Sequence, residues 1–384
     1  MSDVFAALGR RLRLGVIGGG PGSFIGPIHR AAARLDDRFE ITCGVLSSDP
    51  TRSVAAAAAL GIRGYKDVTA LFAAERTLDA VAIMTPNDRH VNECMAAIEA
   101  GVHIICDKPL ANSVQDAQAI AKRAYSHGTV FCLTHPYAGY PMIRQARAMV
   151  QAGVLGPLRA VQVEYLQAGM SAKVEDGELT AKLRWKLDTG RSGPSLVLGD
   201  IGTHAHHLAR FVAGVDLVGL AADLGAVVPG RQVDDYCAMM LRYAGGVPGT
   251  MLVSQALAGT ENSIMLRVFG ELGHIEWRHA TSNYLTLALQ GRAVQTLSRG
   301  DADLLPPAKR LVRIARGHPE GYTEAFANLY RDAAEAMAAK LTGQPADPLA
   351  LDFPTAEDGV DGMMFVDAAM RSRAASGGWV GFTP

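Results

Sequence analysis

Leu14-Gly15-Val16-Ile17-Gly18-Gly19-Gly20-Pro21-Gly22-Ser23-Phe24-Ile25-Gly26-Pro27 is the stretch on which the fold turns. Leu14 to Ile17 reads as a buried strand, and the glycines follow it at once. Pro27 to Leu35 reads as a helix with its proline early, where the missing N–H costs little. Strand, glycine turn and helix open a βαβ unit, in which glycines let the backbone approach a pyrophosphate at a helix N-terminus. The alternation continues through strands at Phe39–Leu46, Ala80–Met84, His103–Cys106 and Val130–Thr134. Between them lie helices begun by Asp49-Pro50, Asp67 and Ser113 and closed by Gly101 or Gly128. This pattern predicts an α/β, doubly wound dinucleotide-binding domain over residues 1–135.

After Pro141 the texture changes. Runs at Leu158–Tyr165, Leu217–Asp223, Tyr236–Leu241, Thr250–Gln255, Ile264–Phe269 and His274–Trp277 succeed one another with glycine and proline turns between most of them. They predict a mostly antiparallel sheet in an α+β domain over 136–384. Helices are expected at Glu320–Leu341 and Ala356–Ala374, the last placed to pack back on the first domain.

Composition narrows the function classes. Lys and Arg number 37 against 38 Asp and Glu, so no basic surface drives nucleic-acid binding. No uncharged run approaches the ~18 residues a membrane span requires. The five cysteines are scattered and lack a C-x-x-C pair, which reads as reduced thiols. Met1 to Arg13 runs straight into a strand without a small-residue cleavage site, so a cytoplasmic protein is expected.

Three clusters carry candidate chemistry. In the first, Gly18, Gly20, Gly22, Ser23, Phe24 and Ile25 form a phosphate loop longer than G-x-G-x-x-G. Past the second strand stand Ser47 and Ser48, with Arg52 nearby and Asp49 two residues late. Small hydroxyls beside an arginine suit a 2′-phosphate, favouring NADP slightly over NAD; the competing reading makes Asp49 a helix cap and Arg52 a surface residue. In the second, Thr85-Pro86-Asn87 with His90, and Asp107-Lys108-Pro109, end two strands where doubly wound folds hold ligands. In the third, Asp200 and His204 share one face if helical, so the carboxylate would orient the imidazole for general acid/base work. His204, His206 and His207 with Asp200 also suggest a metal-dependent hydrolase, but His204 and His206 diverge on a helix, so no metal is expected.

Taken together, these clusters resemble the glucose–fructose oxidoreductase/inositol dehydrogenase (Gfo/Idh/MocA) family over nearly the whole chain. The resemblance implies an N-terminal Rossmann domain, a substrate-binding C-terminal domain over 136–384 whose sheet often forms the oligomer interface, and a homodimer or homotetramer. It also implies NAD(P)-dependent interconversion of a secondary hydroxyl and a ketone on a carbohydrate or cyclic polyol. Carried over residue by residue, Lys108 matches the lysine of the family's E-K-P motif, and Asp200 and His204 match its D-x-x-x-H pair. Trp185-Lys186 resembles the W-R segment near the nicotinamide.

There are departures. Asp107 replaces the usual Glu, Gly193-Pro194-Ser195 stands where a glycine triplet is common, and His135-Pro136-Tyr137-Ala138 replaces an aromatic-Asn-Arg-Arg run, leaving Tyr137 as the substrate-contact candidate there. His318 to Tyr322 resembles glycoside and anhydrosugar dehydrogenases, although a helix start with Glu320 in its first turn explains it equally well. The same fold without turnover would serve as an NAD(P)-sensing regulator. Lys108, Asp200 and His204 together argue against that reading.

Overall fold

The computed structural model describes residues 3–382. The chain forms two compact units, one from residues up to 111, 115–139 and 322–360, the other from 112–114, 140–321 and 361 onward. It crosses between them several times, where the sequence suggests one boundary at residue 135.

The first unit is built on β1 (Leu12–Gly18), β2 (Phe39–Val45), β3 (Arg63–Gly64), β4 (Ala80–Met84), β5 (His103–Asp107) and β6 (Phe131–Thr134). Their order is β3-β2-β1-β4-β5-β6, with every pair parallel. β4 is buried along its whole length, which explains why it reads as an unbroken apolar run. The order reverses between β1 and β4, and ligands of such sheets bind at that switch point. Asp49 and Asp67 cap their helices as their positions predict, accepting from the Arg52 and Ala70 amides. The long helix Tyr322–Thr342 packs on helix Ile25–Leu35. Ala32, Ala33, Phe326, Tyr330 and Ala333 are buried there, and the small residues allow close approach. His29 lies wholly inside this contact with Nδ1 2.7 Å from Tyr330 Oη, and burial pushes its pKa down to about 4.

The second unit holds β7 (Leu158–Leu166), β8 (Leu217–Gly225), β9 (Tyr236–Tyr243), β10 (Pro248–Ser254), β11 (Ser263–Gly270), β12 (Gly273–Arg278), β13 (Tyr284–Leu289), β14 (Gln295–Ser298) and β15 (Val380–Gly381). They form one sheet in the order β14-β13-β12-β11-β7-β10-β9-β8-β15. Only β7 and β10 pair in parallel. One face buries Val161, Val163, Met239, Leu241, Met251 and Val253. Helix Thr203–Ala213 packs on the sheet at β7 and β11. On the other face Gln162, Glu164, Ala238, Met240, Thr250 and Leu252 line a groove of about 560 Å³.

A buried cation ties down the loop that follows β7. The Arg231 guanidinium, with no exposed side-chain surface, pairs with Asp235 at 2.9 Å and Glu175 at 2.8 Å. It also donates to the carbonyls of Met170 (2.6 Å) and Ala172 (2.8 Å).

Two consequences for stability follow. Arg231→Met leaves the buried Asp235 carboxylate with the Val227 and Val228 amides but without its cation and should cost about 3–5 kcal/mol, read as a lower chemical-denaturation midpoint; an unchanged midpoint would refute this. For His29, the unfolded chain binds a proton between about pH 6.5 and pH 4 that the folded chain excludes, so stability falls as pH drops through that window. His29→Gln should flatten that part of the pH dependence, about 3 kcal/mol in all. Equal slopes in wild type and variant would contradict it.

Candidate active site

In the first unit the glycines do three different jobs. A Cβ on Gly20 would sit 1.9 Å from the Leu46 carbonyl oxygen, and one on Gly18 would sit 2.8 Å from the Met84 backbone. The turn is therefore wedged between the ends of β2 and β4. A Cβ on Gly26 would come within 2.1 Å of the Gly19 oxygen. Gly26 thus fills the role of the third glycine in G-x-G-x-x-G, close helix-to-strand packing, but lies eight positions after Gly18 instead of five. The added residues bulge outward, with Gly22 at φ +84° in open space and Phe24 66% exposed. Ser23 Oγ accepts from the Gly26 amide at 3.1 Å, so its side chain closes the helix start. Ile25 begins the helix and packs toward the core.

This cradle fits a dinucleotide, since the loop joins β1 to the N-terminus of helix Ile25–Leu35 at the point where the strand order reverses. No carboxylate stands at the end of β2 to meet a ribose. Asp49 is engaged as a helix cap, and the Arg52 guanidinium lies 3.4 Å from Ser47 Oγ with Ser48 exposed beside it.

At the end of β4, Thr85 Oγ1 donates to Glu93, and Asn87 is buried in a short turn after Pro86. His90 is fully buried, with Nδ1 2.9 Å from the Pro109 oxygen and Nε2 2.9 Å from the Thr85 oxygen. It joins the ends of β4 and β5. Asp107 Oδ1 accepts from the Lys108 amide (3.0 Å) and the Thr134 hydroxyl (2.9 Å), fixing the turn that carries Lys108. The Lys108-Pro109 bond is cis. Tyr137 is buried, its ring 6.4 Å from that of Tyr322.

In the second unit Asp200 lies on a π-helical turn, Leu198–Gly202, that runs into the α-helix bearing His204. The Thr203 amide bonds the Leu198 carbonyl five residues back, a geometry that recurs at functional sites. At Gly202 a Cβ would lie 2.9 Å from Leu198 Cδ2 and 3.5 Å from Phe365, so a larger residue would displace the end of the Leu198 side chain. The carboxylate of Asp200 is held by Lys186, and Gln255 Nε2 donates to it at 2.7 Å. His204 is 6% exposed, with its ring 6.2 Å from that of Tyr165. Upstream, Asp234 Oδ1 accepts from Ser195 Oγ and the Val197 amide, both at 2.8 Å, and so anchors the entry to the π turn. Trp185 is half-buried on helix Ala181–Leu187 beside Lys186.

The neighbouring histidines turn elsewhere. His206 Nε2 lies 2.6 Å from Asp361 and its ring stacks on Phe365. Burial works to raise the Asp361 carboxyl, but His206 and Arg210 outweigh it and hold it below the usual carboxylate range. His207 stacks on Phe211. Among the described residues no three His, Cys, Asp or Glu gather around a common point that would hold a metal ion. Glu320 is not in a first helical turn, because the helix begins at Tyr322. It is buried against Arg299 at 2.6 Å and accepts from the Arg313 and Ile314 amides. None of the five cysteines is in a disulfide.

Sequence reasoning missed Gln255, Asp234 and the anchoring role of His90. Gln255 had one signal: a polar residue ending an apolar strand run.

Residues 12–135 match the family model described as "Oxidoreductase family, NAD-binding Rossmann fold", and residues 143–276 match the "GFO/IDH/MocA C-terminal domain". The uncharacterized oxidoreductase YfiI of Bacillus subtilis is 32% identical over 98% of both chains. The crystal structure of an oxidoreductase from Sinorhizobium meliloti superposes with a TM-score of 0.86 at 41% identity, covering 97% of this chain and 99% of that one. An inositol dehydrogenase homolog from Azotobacter vinelandii, complexed with NADH and myo-inositol, gives 0.89 at 34% identity, covering 97% and 98%. With a parallel sheet in the order 3-2-1-4-5-6, a glycine cradle shaped for a dinucleotide and matches in both halves, the chain belongs to the Gfo/Idh/MocA family of oxidoreductases with an NAD-binding Rossmann domain.

Proposed function

We propose that the protein is an NAD(P)-dependent dehydrogenase that interconverts a secondary hydroxyl and a ketone on a cyclic polyol or sugar. The observation that carries this reading is Asp200, its carboxylate gripped by two donors, one turn ahead of His204 at a π-to-α junction. The relative that holds NADH and myo-inositol supports the substrate class. When bound, the nicotinamide supplies the acceptor for the hydride leaving the carbinol carbon. The hydroxyl proton must leave as the C=O forms, and His204 is the base that takes it, with Asp200 stabilising the imidazolium. Lys108 donates to the same oxygen and stabilises the charge that develops on it; the alternative assignment makes Lys108 the base. Trp185 and the Thr85-Pro86-Asn87 turn would flank the nicotinamide.

The cofactor's 2′ position is read by Ser47, Ser48 and Arg52, which favours NADP. We further propose a homodimer or homotetramer formed through the open sheet face, where Met240 is 55% exposed, in a cytoplasmic setting consistent with cysteines that form no disulfide.

A cofactor-reduction screen of inositols, pyranoses, glycosides and anhydrosugars with NAD and NADP tests the activity. Lys108→Met and His204→Gln should each lower kcat/KM at least ~100-fold while cofactor affinity, read by fluorescence titration, stays unchanged. No turnover by wild type on any substrate, or wild-type rates in both variants, would sink the scheme. Arg52→Gln should lower the NADP-to-NAD ratio of kcat/KM about 10- to 100-fold, the worth of one charged hydrogen bond; an unchanged ratio would return Arg52 to the surface.

A further inference from the structure

Three side-chain amides stand in a row at one end of the second unit's sheet. Gln255 follows β10, Gln167 follows β7 and Asn262 precedes β11, three strands adjacent in the sheet. Gln255 Nε2 spends both its hydrogens, one on Asp200 Oδ2 at 2.7 Å and one on Gln167 Oε1 at 3.1 Å. Gln167 Nε2 donates to Asn262 Oδ1 at 2.6 Å and to Tyr165 Oη at 3.3 Å, while the Tyr165 hydroxyl donates to the same Asn262 oxygen at 2.7 Å. The direction of this ladder is fixed by chemistry. Turning the Gln255 amide over would set its oxygen against two acceptors, Asp200 and Gln167.

The ladder is expensive at one point. Gln255 is 2% exposed, and its Oε1 is buried with no hydrogen-bond partner among the described residues. An unsatisfied buried carbonyl costs about 1–3 kcal/mol. A methionine of similar size would remove that cost but would leave Gln167 Oε1 and Asp200 without their donor, so the glutamine is explained by what it donates. What the amide supplies, and an apolar side chain cannot, is a donor aimed at Asp200 from the side of the sheet, opposite in origin to the Lys186 ammonium from helix Ala181–Leu187.

We infer that Gln255, backed by Gln167 and Asn262, is a positioning residue for Asp200. It keeps the carboxylate ionised and aimed, and rests on the dehydrogenase reading above only for its kinetic consequence. A donor to the ionised form stabilises that form, so removing it makes Asp200 easier to protonate.

The test is Gln255→Met in the full-length protein, with Gln255→Glu beside it. In Gln255→Met, kcat should fall about 10- to 100-fold and the acid limb of the kcat/KM profile should move to higher pH. Gln255→Glu should regain part of the loss as pH is lowered, because a protonated carboxyl again offers a donor to Asp200. Wild-type kcat and pH profile in Gln255→Met would overturn the inference; so would a fall in kcat that leaves the acid limb where it is in wild type. If wild type turns over no polyol or sugar, the dehydrogenase reading fails by itself. The inference is then decided on ligand-free protein by carbon-13 NMR titration of the Asp200 carboxyl, assigned with Asp200→Asn: a titration displaced upward in Gln255→Met supports it, and an identical one refutes it.

Discussion

The first unit rests on one close approach, the backbone of Gly26 against the carbonyl of Gly19. Side-chain atoms at either position would push the helix off the strand, since even a Cβ on Gly26 would lie 2.1 Å from an oxygen. Because the contact holds, the helix N-terminus faces the mouth of the sheet at the switch point between β1 and β4. Gly18 and Gly20 press the same turn against the ends of β4 and β2. The exposed turn at Pro21 and Gly22 lengthens the loop on its solvent side, while Ser23 Oγ, accepting from the Gly26 amide, closes it onto the helix.

The second unit solves a different problem, that of holding a carboxylate still. Asp200 lies on a π turn, where the wider helical path shifts side chains relative to the α-helix that follows. Asp234 fixes the entry to the turn, and Lys186 and Gln255 fix the carboxylate itself. Arg231, buried among two carboxylates and two carbonyls, fastens the segment between Met170 and Glu175. Low dielectric makes each of these hydrogen bonds stronger and makes any that is missing more costly. Polar networks of this kind specify one geometry.

Several elements were legible because their signals are local. A proline or aspartate at a helix start, a glycine at its end and an apolar run of strand length depend on neighbours a few residues away. The parallel sheet and the caps at Asp49 and Asp67 are of this kind. β13 was equally available in the alternation of Leu285, Leu287 and Leu289, but is short and lies among exposed residues. Glu320 misled because an acidic residue before a helix resembles a dipole partner, whereas its true partner, Arg299, is 21 residues away.

The sequence by itself determined the order of strands and helices, the glycine cradle and the residue types at Lys108, Asp200 and His204, because periodicity, backbone freedom and motif spacing are properties of short segments. Only the tertiary structure decided that the helix Tyr322–Thr342 packs with the first unit, that His90 joins two strand ends, and that Gln255 meets Asp200 from 55 residues away. Each is a hydrogen bond or packing contact between distant segments. Its partner is chosen by the path of the chain in space, which no local pattern encodes.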